Sequence, residues 1–185
     1  PLWYLRTSRP LDISSLQAMP MVGTDERLVT YPSFFTDDQD RLHFRYRHGS
    51  SGSGYWLMNR YDPATGTWSR PVERLFDDSD PDGNTHNAYH RLEEHEGRHH
   101  LVWTWRRTPD AATNSDLHYA YSDDLERWYA ADGTQIALPF NSSQRRTRVR
   151  RILEGQGLIN GGFHVGFDRD DEVVVTYQRY RNATQ

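Results

Sequence analysis

The sequence contains no cysteine. This excludes a disulfide framework and a thiolate metal centre, and it leaves the redox compartment open. Lysine is absent too, since all 22 basic residues are arginine. Schiff-base chemistry and a phosphate-binding P-loop both need a lysine, so neither is available. No apolar run approaches the ~18 residues of a membrane-spanning helix, and no charged-then-apolar leader opens the chain. Helix signals are scarce. The best is Leu16–Met21, which is short and interrupted by Pro20. An excess of positive charge is also missing: 26 acidic side chains against 22 basic give a net charge of −4. That balance argues against a general nucleic-acid binder. The expected partners therefore include neither nucleic acid nor membrane, and oligomeric state is left open.

Aromatic residues are plentiful. Among 185 residues there are 6 Trp, 11 Tyr and 7 Phe, enough to build a core and to make disorder an unsuitable description. The length suits one domain or a piece of a larger one. Strand signals recur along the chain. Leu42–Arg47 and Leu117–Ser122 alternate apolar and polar residues, Leu101–Arg106 is aromatic and β-branched, and Val173–Tyr177 is a run of β-formers. Turn-forming clusters bound them, among them Asp37–Asp40, Asp82-Gly83-Asn84 and Asp168–Asp171. Period-two runs between such turns predict antiparallel strands.

The strands recur as units. One unit runs from Tyr31–Phe35 through two strands to Trp68, and a second runs from Asn87–His90 through two strands to Trp128, about 60 residues later. A third opens at Gly161-Gly-Phe-His164. Self-similarity at a fixed period predicts an all-β fold of the β-propeller type, with four-stranded blades of about 60 residues. The chain is then a single propeller segment over residues 1–185, with blade-like units at about 28–75, 85–135 and 158–185. About three blades are too few to close a ring of 4–8, so the segment belongs to a longer propeller. A β-sandwich of irregular hairpins is the alternative.

Several features could carry chemistry. Tyr61-Asp62…Gly66-Thr67-Trp68 and Ser122-Asp123-Asp124…Trp128 look like Asp-box turns, whose role is structural. The run Arg47–Gly54 is either a flexible hairpin loop or a close backbone approach to a ligand. The arginine-rich stretch Asn141–Gly157 reads as a solvated connector, or else as an electropositive arm. Nine histidines lack recognisable zinc spacing, and His95, His99 and His100 read as exposed turn and strand residues. The sequons at Asn141 and Asn182 are weak matches. First strands of propeller blades line a central channel, so residues near Tyr31, Tyr89-His90 and Phe163-His164 should converge there. Arg47, Arg106 and Arg179 end the second strands in the same repeating way. Histidine, tyrosine and arginine around one channel suit an anionic ligand such as a uronic acid, which arginine grips in bidentate fashion.

A set of motifs also resembles a known family. Tyr31-Pro-Ser-Phe-Phe35, Phe44-Arg-Tyr-Arg-His-Gly-Ser-Ser-Gly-Ser-Gly54, Arg60-Tyr-Asp-Pro63, Asn87-Ala-Tyr-His90, Trp103-Thr-Trp-Arg106, Asn114–Ser122 and Gly162-Phe-His-Val-Gly-Phe-Asp168 are similar to the BNR-repeat family. That family includes seven-bladed propeller polysaccharide lyases such as ulvan lyases and rhamnose–glucuronate lyases. The resemblance implies a lyase cleaving uronate-containing glycans by β-elimination, with an acidic polysaccharide or oligosaccharide as partner and a secreted or periplasmic location. It implies His90 and His164 as base and acid, and Arg106 and Arg179 as the carboxylate clamp. Tyr89, Asn114, Asp116, Arg47 and His118 would bind substrate. No cofactor and no catalytic metal are expected, and a structural metal ion in the channel stays open. Two positions depart from the lyase pattern: Ser115 stands where a histidine is expected, and Phe163 where a tyrosine is. Two other readings are a carbohydrate-binding propeller without catalysis and a glycoside hydrolase using Asp116 and Asp168.

Overall fold

The computed structural model describes residues 1–79 and 85–180. The predicted turn at Asp82-Gly83-Asn84 and the sequon at Asn182 lie outside the described residues. Strands β1 (Leu5–Thr7) and β2 (Leu16–Ala18) form a small hairpin. β3 (Val29–Thr36), β4 (Leu42–Ser50), β5 (Ser53–Asp62) and β6 (Thr67–Phe76) follow as a four-stranded antiparallel meander. The second sheet contains β7 (Asp78–Ser79), β8 (Thr85–His95), β9 (Arg98–Arg106), β10 (Asn114–Ser122), β11 (Trp128–Tyr129) and β12 (Gln135–Ile136), and β13 (Arg148–Arg150) pairs with β10. β14 (Phe163–Phe167) and β15 (Val173–Tyr177) form the last hairpin. The strands predicted at Leu42, Leu101, Leu117 and Val173 are all present. The helix candidate is not a helix: Leu16–Ala18 pairs with Leu5–Thr7 as a strand, and Pro20 follows too closely for a helical turn to propagate.

Alternation explains how the sheets stack. Along β9, Leu101, Trp103 and Trp105 face the first sheet, where Trp56, Met58, Leu75 and Phe76 meet them. The intervening Val102 faces the other way, in one cluster with Leu117 of the neighbouring β10 and Phe163 and Val165 of the third unit. β9 is therefore covered on both faces. That placement corrects the reading of His99 and His100 as exposed: both are buried, and the His100 ring nitrogen Nδ1 lies 2.8 Å from the Tyr119 hydroxyl. Each fully buried large apolar side chain contributes about 1.5–3 kcal/mol relative to exposure, so the two inter-sheet layers dominate the packing. One polar tie crosses the first layer, where the Trp56 indole N–H donates to the Ala88 carbonyl at 2.6 Å.

The Asp-box turns are built as their residue types dictate. The Asp62 carboxylate accepts from the Ala64 N–H and the Thr65 hydroxyl. The Ser122 hydroxyl accepts from the Leu125 N–H at 2.8 Å, and Asp124 accepts from the Glu126 and Arg127 amides. Trp68 and Trp128 are both buried. The stretch Asn141–Gly157 is more ordered than a solvated connector. It supplies β13 as an edge strand, buries Thr147 and Ile152, and spends Arg146 on Asp132 and Arg148 on Asp116.

Candidate functional site

A cavity of about 370 Å³ opens where the inner edges of three successive units meet. β3 supplies Tyr31 and Ser33, β8 supplies Tyr89, His90 and Arg91, and the turn before β14 supplies Asn160 and Gly161. Arg45 and Trp56 reach it from β4 and β5. The pairing of β3 with β4 shifts register between Thr30 and Ser33, and Tyr31 sits there at φ +55°. Such a bulge re-aims a side chain. Tyr31 is consequently 54 % exposed, with its ring stacked on Trp56 at 6.0 Å and the Arg47 guanidinium 4.8 Å from its centre. It offers an aromatic face to the opening.

Tyr89 forms part of the cavity wall, and its hydroxyl is held from behind. Arg47 Nη1 lies 3.3 Å from the phenol oxygen, Arg106 Nη1 3.2 Å and Ser51 Oγ 3.3 Å. Burial raises the phenol pKa, but the hydrogen bonds from Ser51 and Arg47 and the positive charges of Arg106 and Arg47 outweigh it, and the net shift is downward. Arg106 is fixed in turn. Its Nε donates to Asn114 Oδ1 at 2.7 Å, its Nη2 donates to Asn160, and Asn114 donates to the Leu158 carbonyl. Both Arg47 and Arg106 are buried and committed to neutral partners. Asn114 is a positioning residue for Arg106.

The loop at Ser50–Gly54 completes this support. A Cβ on Gly52 would fall 2.1 Å from the Thr108 carbonyl carbon, and the residue has φ +72°. Only glycine permits that approach. The close approach is made to the second sheet, and it carries Ser51 to Tyr89.

His90 lies on the cavity wall. Its ring stacks on Phe76 at 5.3 Å and meets Trp56 edge-on at 4.2 Å. Its Nδ1 is enclosed, with no hydrogen-bond partner among the described residues. Burial holds its pKa well below the ordinary histidine range, and the positive charges of Arg45 and Arg91 push it further down. The imidazole is therefore neutral, and the same burial and charges make it a weak base until something offsets them.

The remaining sequence-predicted residues are not brought to this cavity. His164 is exposed on β14, with its neighbours Phe163 and Val165 pointing into the core. Arg179 lies beyond β15 beside a separate open cleft of about 570 Å³, with Gly157, Ile159, Tyr177, Gln178 and Tyr180. Asp116 pairs with Arg148 at 2.9 Å and accepts from the Ile152 N–H. Asp168 accepts from the Asp170 and Glu172 amides in its own turn. His118 is 1 % exposed, stacks on Trp103 and places Nδ1 2.9 Å from the Thr147 hydroxyl. His95, Glu96 and Asp171 bring three ligand-type atoms within 4.8 Å of one another at turns away from the cavity. Sequence reasoning passed over Arg45 and Arg91. The signals were available: Arg45 shares a strand face with Arg47 two positions on, and Arg91 directly follows Asn87-Ala-Tyr-His90.

The burial of His118 has a measurable consequence. Burial depresses its pKa from 6.5 to about 4. Below pH 6.5 the unfolded chain takes up a proton that the folded chain refuses, so stability is lost as the pH falls toward 4. The slope is at most about 1.4 kcal/mol per pH unit from this residue. Urea unfolding at pH 7 and pH 5 should show the folded state weaker at pH 5. His118→Gln should flatten the dependence, and an unchanged slope in that variant would remove His118 as its source.

Comparison with known proteins places the whole chain. It is 28 % identical over 127 residues to the short isoform of ulvan lyase from Alteromonas sp. (strain LOR), covering 62 % of this chain and 23 % of that protein. Against the long isoform from Glaciecola sp. (strain KUL10) the identity is 30 % over 127 residues, covering 62 % and 12 %. The chain thus spans less than a quarter of the length of these relatives. It superimposes on the polysaccharide lyase Uly1 with a TM-score of 0.66 at 24 % identity, over 83 % of this chain and 36 % of that one. It superimposes on an ulvan lyase of polysaccharide lyase family PL25 with a TM-score of 0.69 at 16 % identity, over 92 % and 41 %. At these identities the structures speak for the fold, an all-β propeller segment. The profile described as BNR repeat-containing family member matches residues 1–185, and the chain belongs to that family.

Proposed function

We propose that this chain is the site-bearing part of a polysaccharide lyase that cleaves uronate-containing glycans by β-elimination. One observation carries the reading: a neutral histidine, a cation-held phenol and an exposed aromatic face share one cavity with two arginines that form no ion pair among the described residues. The hydrogen alpha to a uronate carboxylate is weakly acidic, and placing positive charge against that carboxylate stabilises the carbanion-like transition state. His90 accepts this hydrogen as a proton. The electron pair becomes the C4–C5 double bond, and the C4–O glycosidic bond breaks. Tyr89 supplies a proton to the departing oxygen, and Arg47 and Arg106 stabilise the resulting phenolate. Solvent returns the proton from His90 to Tyr89. Tyr31 offers a ring against which a sugar can lie.

The similarity to ulvan lyases supports the same class of reaction and an acidic polysaccharide as substrate. Hydrolysis has less support, because neither Asp116 nor Asp168 reaches the cavity. The test is to incubate the full-length protein with uronate-containing polysaccharides, following ultraviolet absorbance of the unsaturated product together with new reducing ends. Both should rise in step. Reducing ends without absorbance would mean hydrolysis, and binding with neither would mean a carbohydrate-binding propeller; either result overturns the lyase reading.

A further inference from the structure

We infer that Arg45 and Arg91 form the subsite for the acidic group of the bound sugar, while Arg47 and Arg106, the arginines suggested by the repeat, only support Tyr89. The inference rests on the reading above that the cavity takes an acidic sugar. It begins with how the arginines are spent. Arg60, Arg70, Arg107 and Arg148, for example, each lie within 3 Å of a carboxylate oxygen. Arg47 and Arg106 have no carboxylate partner among the described residues, but their nitrogens are occupied by Thr30, Tyr89, Asn114, Ser51 and Asn160. Arg45 and Arg91 differ from both groups. Neither has an ion pair or a side-chain hydrogen bond among the described residues, and Arg45 Nη1 is enclosed without a partner.

The placement of the two head groups agrees. Arg45 comes from β4 with its guanidinium 5.5 Å from the centre of the Phe35 ring. Arg91 comes from β8, and its Nη2 lies 3.5 Å from where a Cβ of Gly161 would be, at the cavity wall of the third unit. Both line the cavity. The charged and titratable groups facing Arg45 are Arg91, Glu93 and His90, and Glu93 is the one acidic group that favours the Arg45 charge. Two like charges at one cavity repel each other, and an enclosed N–H without an acceptor is a costly arrangement. A planar carboxylate between them relieves both, because it accepts two N–H bonds at once and carries the opposite charge. It also cancels the two charges that suppress protonation of His90, so the acidic substrate itself makes His90 a stronger base.

The test uses calorimetric titration of the full-length protein with a glucuronate-containing oligosaccharide and with the same oligosaccharide after carboxyl reduction. The wild-type protein should prefer the acidic form. Arg91→Gln should weaken acidic binding by about tenfold or more, since each charge-assisted bond is worth at least that factor, and should leave the reduced sugar's affinity unchanged. Arg45→Gln should do the same. Arg45 is partly enclosed and its variant could lose folding, but Arg91 is exposed, so Arg91→Gln decides the matter alone. A wild-type protein without acidic preference, an Arg91→Gln variant that keeps the preference, or one that loses both sugars equally would overturn the assignment. The lyase reading fails separately. Acidic preference that depends on Arg91 without any unsaturated product sinks the lyase and leaves this subsite, while elimination that is indifferent to Arg91→Gln does the reverse.

Discussion

Replacing His90 by Gln should lower the rate of elimination by about 10²- to 10⁴-fold, the usual contribution of a positioned general base. Glutamine keeps much of the imidazole's volume between Phe76 and Trp56, and its amide cannot take the proton. The loss should fall on kcat, with KM little changed, because the acidic group and the sugar ring are held by other side chains. The melting temperature serves as the control. A variant that folds and keeps more than about a tenth of wild-type turnover, well outside the general-base range, would remove His90 from the chemistry. The wild-type rate should also fall as the pH drops far enough to protonate His90, and occupancy of Arg45 and Arg91 by the substrate should bring that limb to higher pH than in the free protein.

The largest effect on folding is expected at Trp103. This residue is fully buried. Its ring lies 4.8 Å from Phe140, 5.2 Å from His118 and 5.3 Å from Phe76. It thus joins the second sheet to the first across their shared layer. Trp103→Ala leaves a void that three aromatic rings cannot collapse to fill, and should cost about 3–5 kcal/mol. Against a total of ~5–15 kcal/mol for a typical domain, this is a large share, visible as a lower urea midpoint. Leu11→Ala, at a fully exposed position, should shift the midpoint little. A Trp103 variant as stable as the Leu11 variant would mean that the inter-sheet layer is not where stability resides.

Individual residues show how far sequence reading reached. The strands at Leu42–Arg47, Leu101–Arg106 and Val173–Tyr177 were legible because alternation and β-branching act within a few residues. The turns at Asp62 and Ser122 were legible for the same reason, since their side chains bond amides two or three positions away. His90 was singled out by its place near the start of a first strand, and it does line the cavity. Leu16–Ala18 was misread because its partner, Leu5–Thr7, lies across a loop. His99 and His100 were misread because nothing local reveals that both faces of β9 are covered.

By itself the sequence determined a repeating antiparallel β architecture, the acidic turns that punctuate it, and the chemistries closed to a chain without cysteine or lysine. Only the tertiary structure decided which of several similar arginines keep an open charge. Arg45 and Arg47 occupy the same face of one strand, yet Arg47 finds Tyr89 forty-two positions away while Arg45 Nη1 finds no partner among the described residues. The pairing of a guanidinium depends on what neighbouring sheets bring to it, and that is set by packing between units rather than by any pattern along the chain.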